Sequence, residues 1–597
     1  MTNPLLRDRD VSFLLYDVLD VPALTKLEVF KEHSRETFDM FLSSVRGLSR
    51  TVLYPAYKPM DEAPPRLVDG QVHVHPKMRG IYAALVEMGI AGVSRPESVG
   101  GQSLPLSVSC FSTAYLSAAN GSAVGFVFLS TGAAHLLEAF GSDELKATYM
   151  TKLYDGTYTG TMALTEPHAG SSLADVTTQA VPHADGSYRL TGSKIFISGG
   201  DHDLTENIVH MVLARIPGAP PGTKGISLFC VPKKRVQGGA LVPNDVAVTG
   251  LIHKIGWRGL PSVALSFGEQ GDCHGYLVGE PHRGLSYMFQ MMNEARIMVG
   301  VSGVASASAA YHEALGYAQV RAQGRPLTDP RAPKPVPIIE HPDVRRMLLR
   351  QKSIVEGGLS LVARASLYAD LYAHAPTDSE RTRAGLLLDL LTPIVKTFPA
   401  ERGFEANVLA LQVHGGYGYS SEYMPESWMR DQKLNSLHEG TTGIQALDLL
   451  GRKAVAGQGA ALRALRSEIE AAATQAVASA LPGDLPELVL EALAAVESLT
   501  MYLGGLGLAG DVNGMMLHAA DYLDLFSVLV VSWQHLAMAA VASTKLPTAQ
   551  GEDAAFLRGK VISAEYFIRT EVPRLHTLAA LCRSGEDSYA RVQAQEL

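Results

Sequence analysis

Apolar residues recur at helical spacing over most of the chain and give way to short β-branched runs in one middle stretch, so the pattern predicts helices flanking a β region. Up to about Tyr158 the period is helical. Residues 13–19, 27–48 and 81–89 set apolar side chains three and four apart, and residues 108–119 and 131–140 are apolar with many small residues. Residues 55–65 read as a proline-rich loop and 96–101 as a turn. From Thr159 to about Gly279 short β-branched runs take over, at 188–197, 208–216, 226–231, 246–252 and 263–267, with Asp185-Gly186 and Pro217-Gly218 among the turn signals between them. That spacing predicts an antiparallel barrel or sandwich. Helices resume near Gly284. Residues 297–312 carry no charge apart from a histidine, 323–342 hold six prolines and must connect, and 344–375 and 383–414 continue an antiparallel bundle. Four further helical stretches follow, at 460–481, 485–508, 515–542 and 554–580.

The expected fold class is therefore α+β, with four domains: helical 1–158, β 159–283, a helical bundle 284–455 and an additional helical domain 456–597. A chain of 597 residues is long enough for several cores. Residues 525–544 are charge-free and long enough to span a bilayer, but Gln534 and His535 sit in their middle, so a buried core helix is expected and no membrane partner. The net charge of −9 gives no reason to expect nucleic acid. Residues 1–10 carry charges and no apolar run, so no signal peptide is expected. The cysteines Cys110, Cys230, Cys273 and Cys582 lack pair or metal spacing, which points to a reducing, cytoplasmic setting and no metal site.

One short stretch carries candidate chemistry: Leu437-His438-Glu439-Gly440-Thr441-Thr442-Gly443, just before a helical run. Glu439 follows an apolar residue, so packed surroundings are expected to raise its proton affinity toward that of a neutral-pH base. By itself the same pattern equally describes a charge partner for a helix N-terminus.

Companion motifs change that balance. Residues 162–171 (Met-Ala-Leu-Thr-Glu-Pro-His-Ala-Gly-Ser), 190–200 (Leu-Thr-Gly-Ser-Lys-Ile-Phe-Ile-Ser-Gly-Gly) and 412–419 (Gln-Val-His-Gly-Gly-Tyr-Gly-Tyr), with Arg430-Asp431 and Glu439-Gly440-Thr441, resemble in content and order the signatures of the acyl-CoA dehydrogenases. The N-terminal Phe13-Leu14-Leu15-Tyr16-Asp17 and the additional C-terminal domain resemble a longer subgroup that includes the 3-methylmercaptopropionyl-CoA dehydrogenases.

The resemblance implies FAD as cofactor and an acyl-CoA as substrate, with Glu439 removing the α-proton while the β-hydrogen leaves as hydride to the flavin. It assigns Met162, Leu164, Thr165, Gly170 and Ser171 to the flavin through a turn whose backbone groups are free to face a ligand, with Ser171 also toward the CoA moiety. Phe196, Ile197 and Ser198 would place an aromatic, Phe where Trp is usual, and a hydroxyl by the flavin ring. Arg321 and Gln323 would meet FAD phosphate from a neighbouring subunit, although Gly324 stands where many relatives have Phe. Gln412, Gly415 and Gly416 would let backbone approach the adenine or pyrophosphate, and Thr441 and Gly443 would close over the flavin. Asn293, Arg296, His438 and Gly440 fall to the substrate side. His341 and His414 lie near cofactor motifs and read as structural groups. Electrons would pass to an electron-transferring flavoprotein, and a homodimer or tetramer is expected. The rival readings are an acyl-CoA oxidase and a DNA-associated flavoprotein of the same fold.

Overall fold

The middle strands show why the chain turns to short apolar runs where it does. The computed structural model describes residues 3–479, 481 and 483–597. A hairpin of β1 (Arg66–Val68) and β2 (Gln71–His73) precedes β3 (Tyr158–Ala163), β4 (Gln179–Pro182), β5 (Tyr188–Ser198), β6 (Asn207–Arg215), β7 (Ile226–Pro232), β8 (Lys234–Gln237), β9 (Ala240–Pro243), β10 (Val246–Leu251), β11 (Ser262–Phe267) and β12 (His274–Leu277). Successive residues of β6 face two different cores. Met211 and Leu213 join Ile226, Leu228 and the helical residues Leu137 and Leu153, while Val212 and Ala214 join Phe229, Val231, Val263 and Phe267. Both faces are covered, so the strand reads as one apolar run.

Strands β4, β5, β12, β7 and β6 pair in a closed ring. β10–β11 extends it beyond β5, and β3 extends it beyond β6. The expectation of a wholly antiparallel barrel needs correction. β3 lies parallel to β6 from Tyr158↔Asn207 to Ala163↔Val212, and β4 meets β6 in parallel at Gln179↔Arg215. Alternation identifies strands but not their direction.

The helices include α1 (Arg35–Leu48), α2 (Tyr54–Glu62), α3 (Lys77–Glu87), α4 (Leu106–Phe140), α5 (Gly284–Val320), α6 (Pro342–His374), α7 (Asp378–His414), α8 (Pro425–Lys433), α9 (Thr442–Asp448), α10 (Ala460–Ala478), α11 (Leu485–Leu508), α12 (Ala519–Lys545) and α13 (Gly551–Ser584). α2 replaces the expected proline loop. The helical run continues into α2 without a break from α1 through a wider turn at Ser49–Leu53, and the fixed φ of Pro55 and Pro59 already suits a helix. The expected helices at 108–119 and 131–140 are one element, α4, broken only at Asn120.

Two compact units divide the chain. One comprises 39–104 and 115–295 and holds the sheets. The other comprises 1–38, 105–114 and 296–597, is helical, and includes the additional domain. In the helical unit Thr377 starts α7 with a capping box to Glu380. Gly300 of α5 lets that helix approach α7 closely, since a Cβ there would lie 2.3 Å from the Val395 carbonyl. α12 packs against α6, and the polar residues at its centre are used there. Ser360 and Arg364 donate to the Gln534 side-chain Oε1 at 2.9 and 3.2 Å, and His535 Nε2 meets the Ser353 backbone carbonyl at 3.0 Å. Among the described residues three helices have the length and hydropathy to cross a membrane, α4, α11 and the stretch that begins with α12, the last buried over 94% of its most apolar window.

Candidate active site

Glu439 stands on a tight turn rather than in a helix. Its φ is +53° and that of Gly440 is +86°, two left-handed residues in succession. Only glycine serves at the second, because a Cβ there would meet Gln445 Nε2 at 2.7 Å. The buried Gln445 donates to the Glu439 carbonyl at 3.0 Å and holds the turn, and Thr441 caps α9 by accepting from the Ile444 N–H at 3.4 Å. A non-glycine residue held at positive φ stores strain, of the kind found where a side chain must be aimed.

The expected packed surroundings are not what this turn offers. Leu437 is 56% exposed and Glu439 itself is open to solvent. Even so, protein surrounds the carboxyl densely. Burial raises its proton affinity above the ordinary carboxylate value, while the positive charges of Arg296 and Lys396 pull against that rise. The carboxyl is reachable by water and by a ligand.

Arg296, on α5, is buried and donates to Asp448 of α9 at 2.7 Å. Asp448 also holds Arg452, and the Nε of Arg296 is buried without a hydrogen-bond partner among the described residues. Burial lowers the His438 ring to about 3, with Lys396 adding to the effect, so it is neutral.

Arg321, Gln323, Gly415 and Gly416 come together around a cavity of about 500 Å³ also lined by Tyr317 and His414. Gln412 is not among its lining residues. His414 is buried, stacks on Tyr317 at 4.4 Å and meets the Ala410 carbonyl at 2.8 Å, while His341 Nε2 meets the Gln323 carbonyl at 2.7 Å. His341 is held by local backbone, whereas the Nε2 of His414 is buried without a hydrogen-bond partner among the described residues. Gly443 is exposed on the first turn of α9.

In the other unit, Phe196 lies near the end of β5, 60% exposed and with φ +59°, a rare conformation for a bulky residue. Ile197 points the opposite way into the core, so its side chain is withheld from any ligand, and Ser198 is partly exposed. Gly170 and Ser171 are exposed; Met162, Leu164, Thr165 and Asn293 are partly so. The backbone of the 162–171 turn is less free than expected. Lys194 Nζ takes the Leu164 carbonyl at 3.0 Å, the Ile195 N–H takes the Thr165 carbonyl at 2.9 Å, and Glu166 and Ala169 exchange both backbone hydrogen bonds.

The sequence reading passed over the residue behind that turn. Glu166 is buried and accepts from both the N–H and the hydroxyl of Thr177 and of Thr178, and from Lys194 at 2.8 Å. Burial would raise its pKa, but the Lys194 charge and these hydrogen bonds outweigh it and hold the carboxyl at about 2. The signal was available: Glu166 and Lys194 lie in two of the motifs quoted together above.

Four profiles of the family cover the chain nearly end to end. The acyl-CoA dehydrogenase N-terminal domain matches 35–157, the middle domain 161–269 and the C-terminal domain 282–455. The profile described as acetyl-CoA dehydrogenase C-terminal like matches 454–593. The chain belongs to the acyl-CoA dehydrogenase family. Its relatives include the 3-methylmercaptopropionyl-CoA dehydrogenase of Ruegeria pomeroyi, 39% identical over 94% of each chain. A butyryl-CoA dehydrogenase of Syntrophomonas wolfei is 34% identical over 96% of this chain and 95% of its own. Among solved structures, an acyl-CoA dehydrogenase complexed with FAD from Bacillus anthracis shares the fold at a TM-score of 0.73 and 21% identity, covering 96% of this chain and 92% of that one.

As an acyl-CoA dehydrogenase, this oxidoreductase uses FAD, and its residues fit that cofactor. Phe196 presents an open aromatic face, and the cavity at Arg321 offers a cation beside the exposed backbone of Gly415 and Gly416, which suits a phosphate.

Proposed function

We propose that the enzyme dehydrogenates a short linear acyl-CoA thioester between the α and β carbons, with Glu439 as the base. The observation that carries this reading is the Glu439 turn: a carboxyl with raised proton affinity, aimed by a strained backbone and reachable from solvent. The thioester carbonyl is polarised by the Glu439 N–H, which acidifies the α-carbon. A thioester seated over Glu439 displaces water and makes the carboxylate a stronger base at the moment it is needed. His438, neutral, forms a wall rather than a competing acid. FAD, when bound, supplies the acceptor for the departing hydride.

Short acyl groups are favoured because the two relatives above are named for 3-methylmercaptopropionyl-CoA and butyryl-CoA, both linear and unbranched. An electron-transferring flavoprotein as acceptor, a cytoplasmic setting and a homodimer complete the proposal. All four cysteines are free and buried, in keeping with a reducing compartment.

An anaerobic titration of the holoenzyme with butyryl-CoA, 3-methylmercaptopropionyl-CoA and a long-chain acyl-CoA tests it by flavin absorbance. Bleaching by the two short thioesters at lower concentration than by the long one is expected. Bleaching by none of them would end the proposal. Rapid peroxide formation in air would move the reading to an oxidase.

A further inference from the structure

Gln445 lies one turn into α9, and its own N–H bonds to the Thr441 carbonyl at 3.0 Å, so the helix fixes its Cα. Helical side chains lean back toward the N-terminus, which brings this one onto the turn that carries Glu439. There its Nε2 donates twice, to the Glu439 carbonyl at 3.0 Å and to the Gly440 carbonyl at 3.4 Å. Gln445 is wholly buried, whereas Glu439 is exposed. The Gln445 Oε1 is buried too and has no hydrogen-bond partner among the described residues.

An unpaired amide oxygen in the interior is a cost that leucine or methionine, of similar volume, would not carry. What the amide supplies and they lack is two donors on one nitrogen. Each carbonyl it takes fixes the ψ of that carbonyl's residue. With Glu439 at φ +53° and Gly440 at φ +86°, two consecutive left-handed residues are thereby held from inside the protein. A non-glycine residue stays in that region only where its neighbours impose it. The helix that does so is itself anchored. Asp448 of α9 accepts from Arg296 of α5 at 2.7 Å, and the Thr442 hydroxyl at its start donates to Glu401 of α7. The chain of bonds from α5 and α7 through α9 ends at the Cα–Cβ bond of Glu439.

We propose that Gln445 is a positioning residue of the dehydrogenation: by holding the Glu439 and Gly440 carbonyls together, its amide sets the direction in which the Glu439 carboxyl leaves the turn. This rests on Glu439 being the base. Uncharged and buried, Gln445 acts through the aim of that carboxyl. Freed of the amide, the two carbonyls turn to water, which reaches this exposed turn, and the backbone relaxes from its left-handed geometry. The fold tolerates that. The proton transfer does not, because a misplacement of about 1 Å in a reacting group costs on the order of 10²-fold in rate.

The test measures flavin bleaching by saturating butyryl-CoA in the holoenzyme, for wild type, Gln445→Leu, Gly440→Ala, the double variant and Glu439→Gln. Gln445→Leu keeps the volume and removes the donors, so the limiting rate is expected to fall about 10²-fold. FAD content and Tm stay near wild type. Affinity for acetoacetyl-CoA, whose β-carbon is a ketone with no hydride to give, stays within about threefold. Gly440→Ala pushes a Cβ against the same amide and lowers the rate by a similar factor. Because both changes undo one device, the double variant falls no more than about threefold below the worse single one, instead of by the product of the two losses. If Gln445→Leu retains FAD and bleaches at the wild-type rate while Glu439→Gln is inactive, the role of Gln445 is refuted and Glu439 stands. Losses that multiply in the double variant refute it as well, as does a fall in rate matched by a fall in FAD content and Tm. If Glu439→Gln still bleaches, the base itself has been misassigned and the proposal falls with it. Should Gln445→Leu not fold, Gln445→Met carries the same comparisons.

Discussion

The protein holds two glutamate–lysine neighbourhoods of opposite design. Glu166 and Lys194 are both buried and bonded to each other, and every acceptor position of the carboxylate is filled by a named donor. Glu439 and Lys396 sense each other's charge without such a bond; the carboxyl is open and the ammonium is buried. In the first, hydrogen bonds hold the acid far below its ordinary pKa. In the second, dense surroundings lift it. The same two residue types therefore form a structural fixture in one unit and surround the proposed base in the other, and the difference is how many donors the carboxylate already has.

The contrast can be broken most sharply at Glu439. Glu439→Gln is expected to lower the rate of flavin bleaching about 10²- to 10⁴-fold, the usual contribution of a positioned base, with stability in thermal melts nearly unchanged. Glu166→Ala should do the reverse. It strands the buried Lys194 ammonium and should cost about 3–5 kcal/mol of stability, read as a large drop in Tm. The pH dependence of unfolding sharpens the same point. Glu166 is depressed in the folded chain, so its stabilisation is complete above about pH 4.5 and is lost as pH falls toward about 2, amounting to about 3 kcal/mol in denaturant titrations. That acid loss should vanish in Glu166→Ala. A smaller effect tests the turn: Gly440→Ala forces a Cβ against Gln445 at a left-handed φ, with a cost of about 1–3 kcal/mol and a misaimed carboxyl. Smallest is Thr441→Ala, which removes the cap of α9 and should cost about 1 kcal/mol.

Much of the architecture was legible because alternation and helical spacing are direct consequences of burial. β5, β6, β7, β10 and β11 lie on the β-branched runs, and α6, α7 and α11 on the helical ones. The parallel β3–β6 pairing was not legible, because strand direction is set by connections and not by side-chain period. α2 was hidden by Pro55 and Pro59, which signal a break unless their places in the helix are known. Position along the chain could not say that Leu437 and Glu439 face solvent, since exposure depends on what other segments bring near. Lys396 could have been noticed as a lone charge in an apolar helical run, the one local irregularity on that stretch of α7.

The ring of strands has an uneven seam. Most of its strand pairings span two or more residue pairs, but β4 touches β6 at the single pair Gln179↔Arg215. Just ahead of that pair, the Arg215 N–H takes the Thr178 carbonyl at 2.8 Å and the Arg215 Nε takes the Val176 carbonyl at 2.8 Å, while Glu166 grips the N–H groups of Thr177 and Thr178. The three residues before β4 thus act as a clasp, fastened from one side by an arginine and from the other by a glutamate. Unclasping it would let the ring gape at its narrowest join, so amide exchange at residues 177–180 reports on the integrity of the whole middle layer long before the helices loosen.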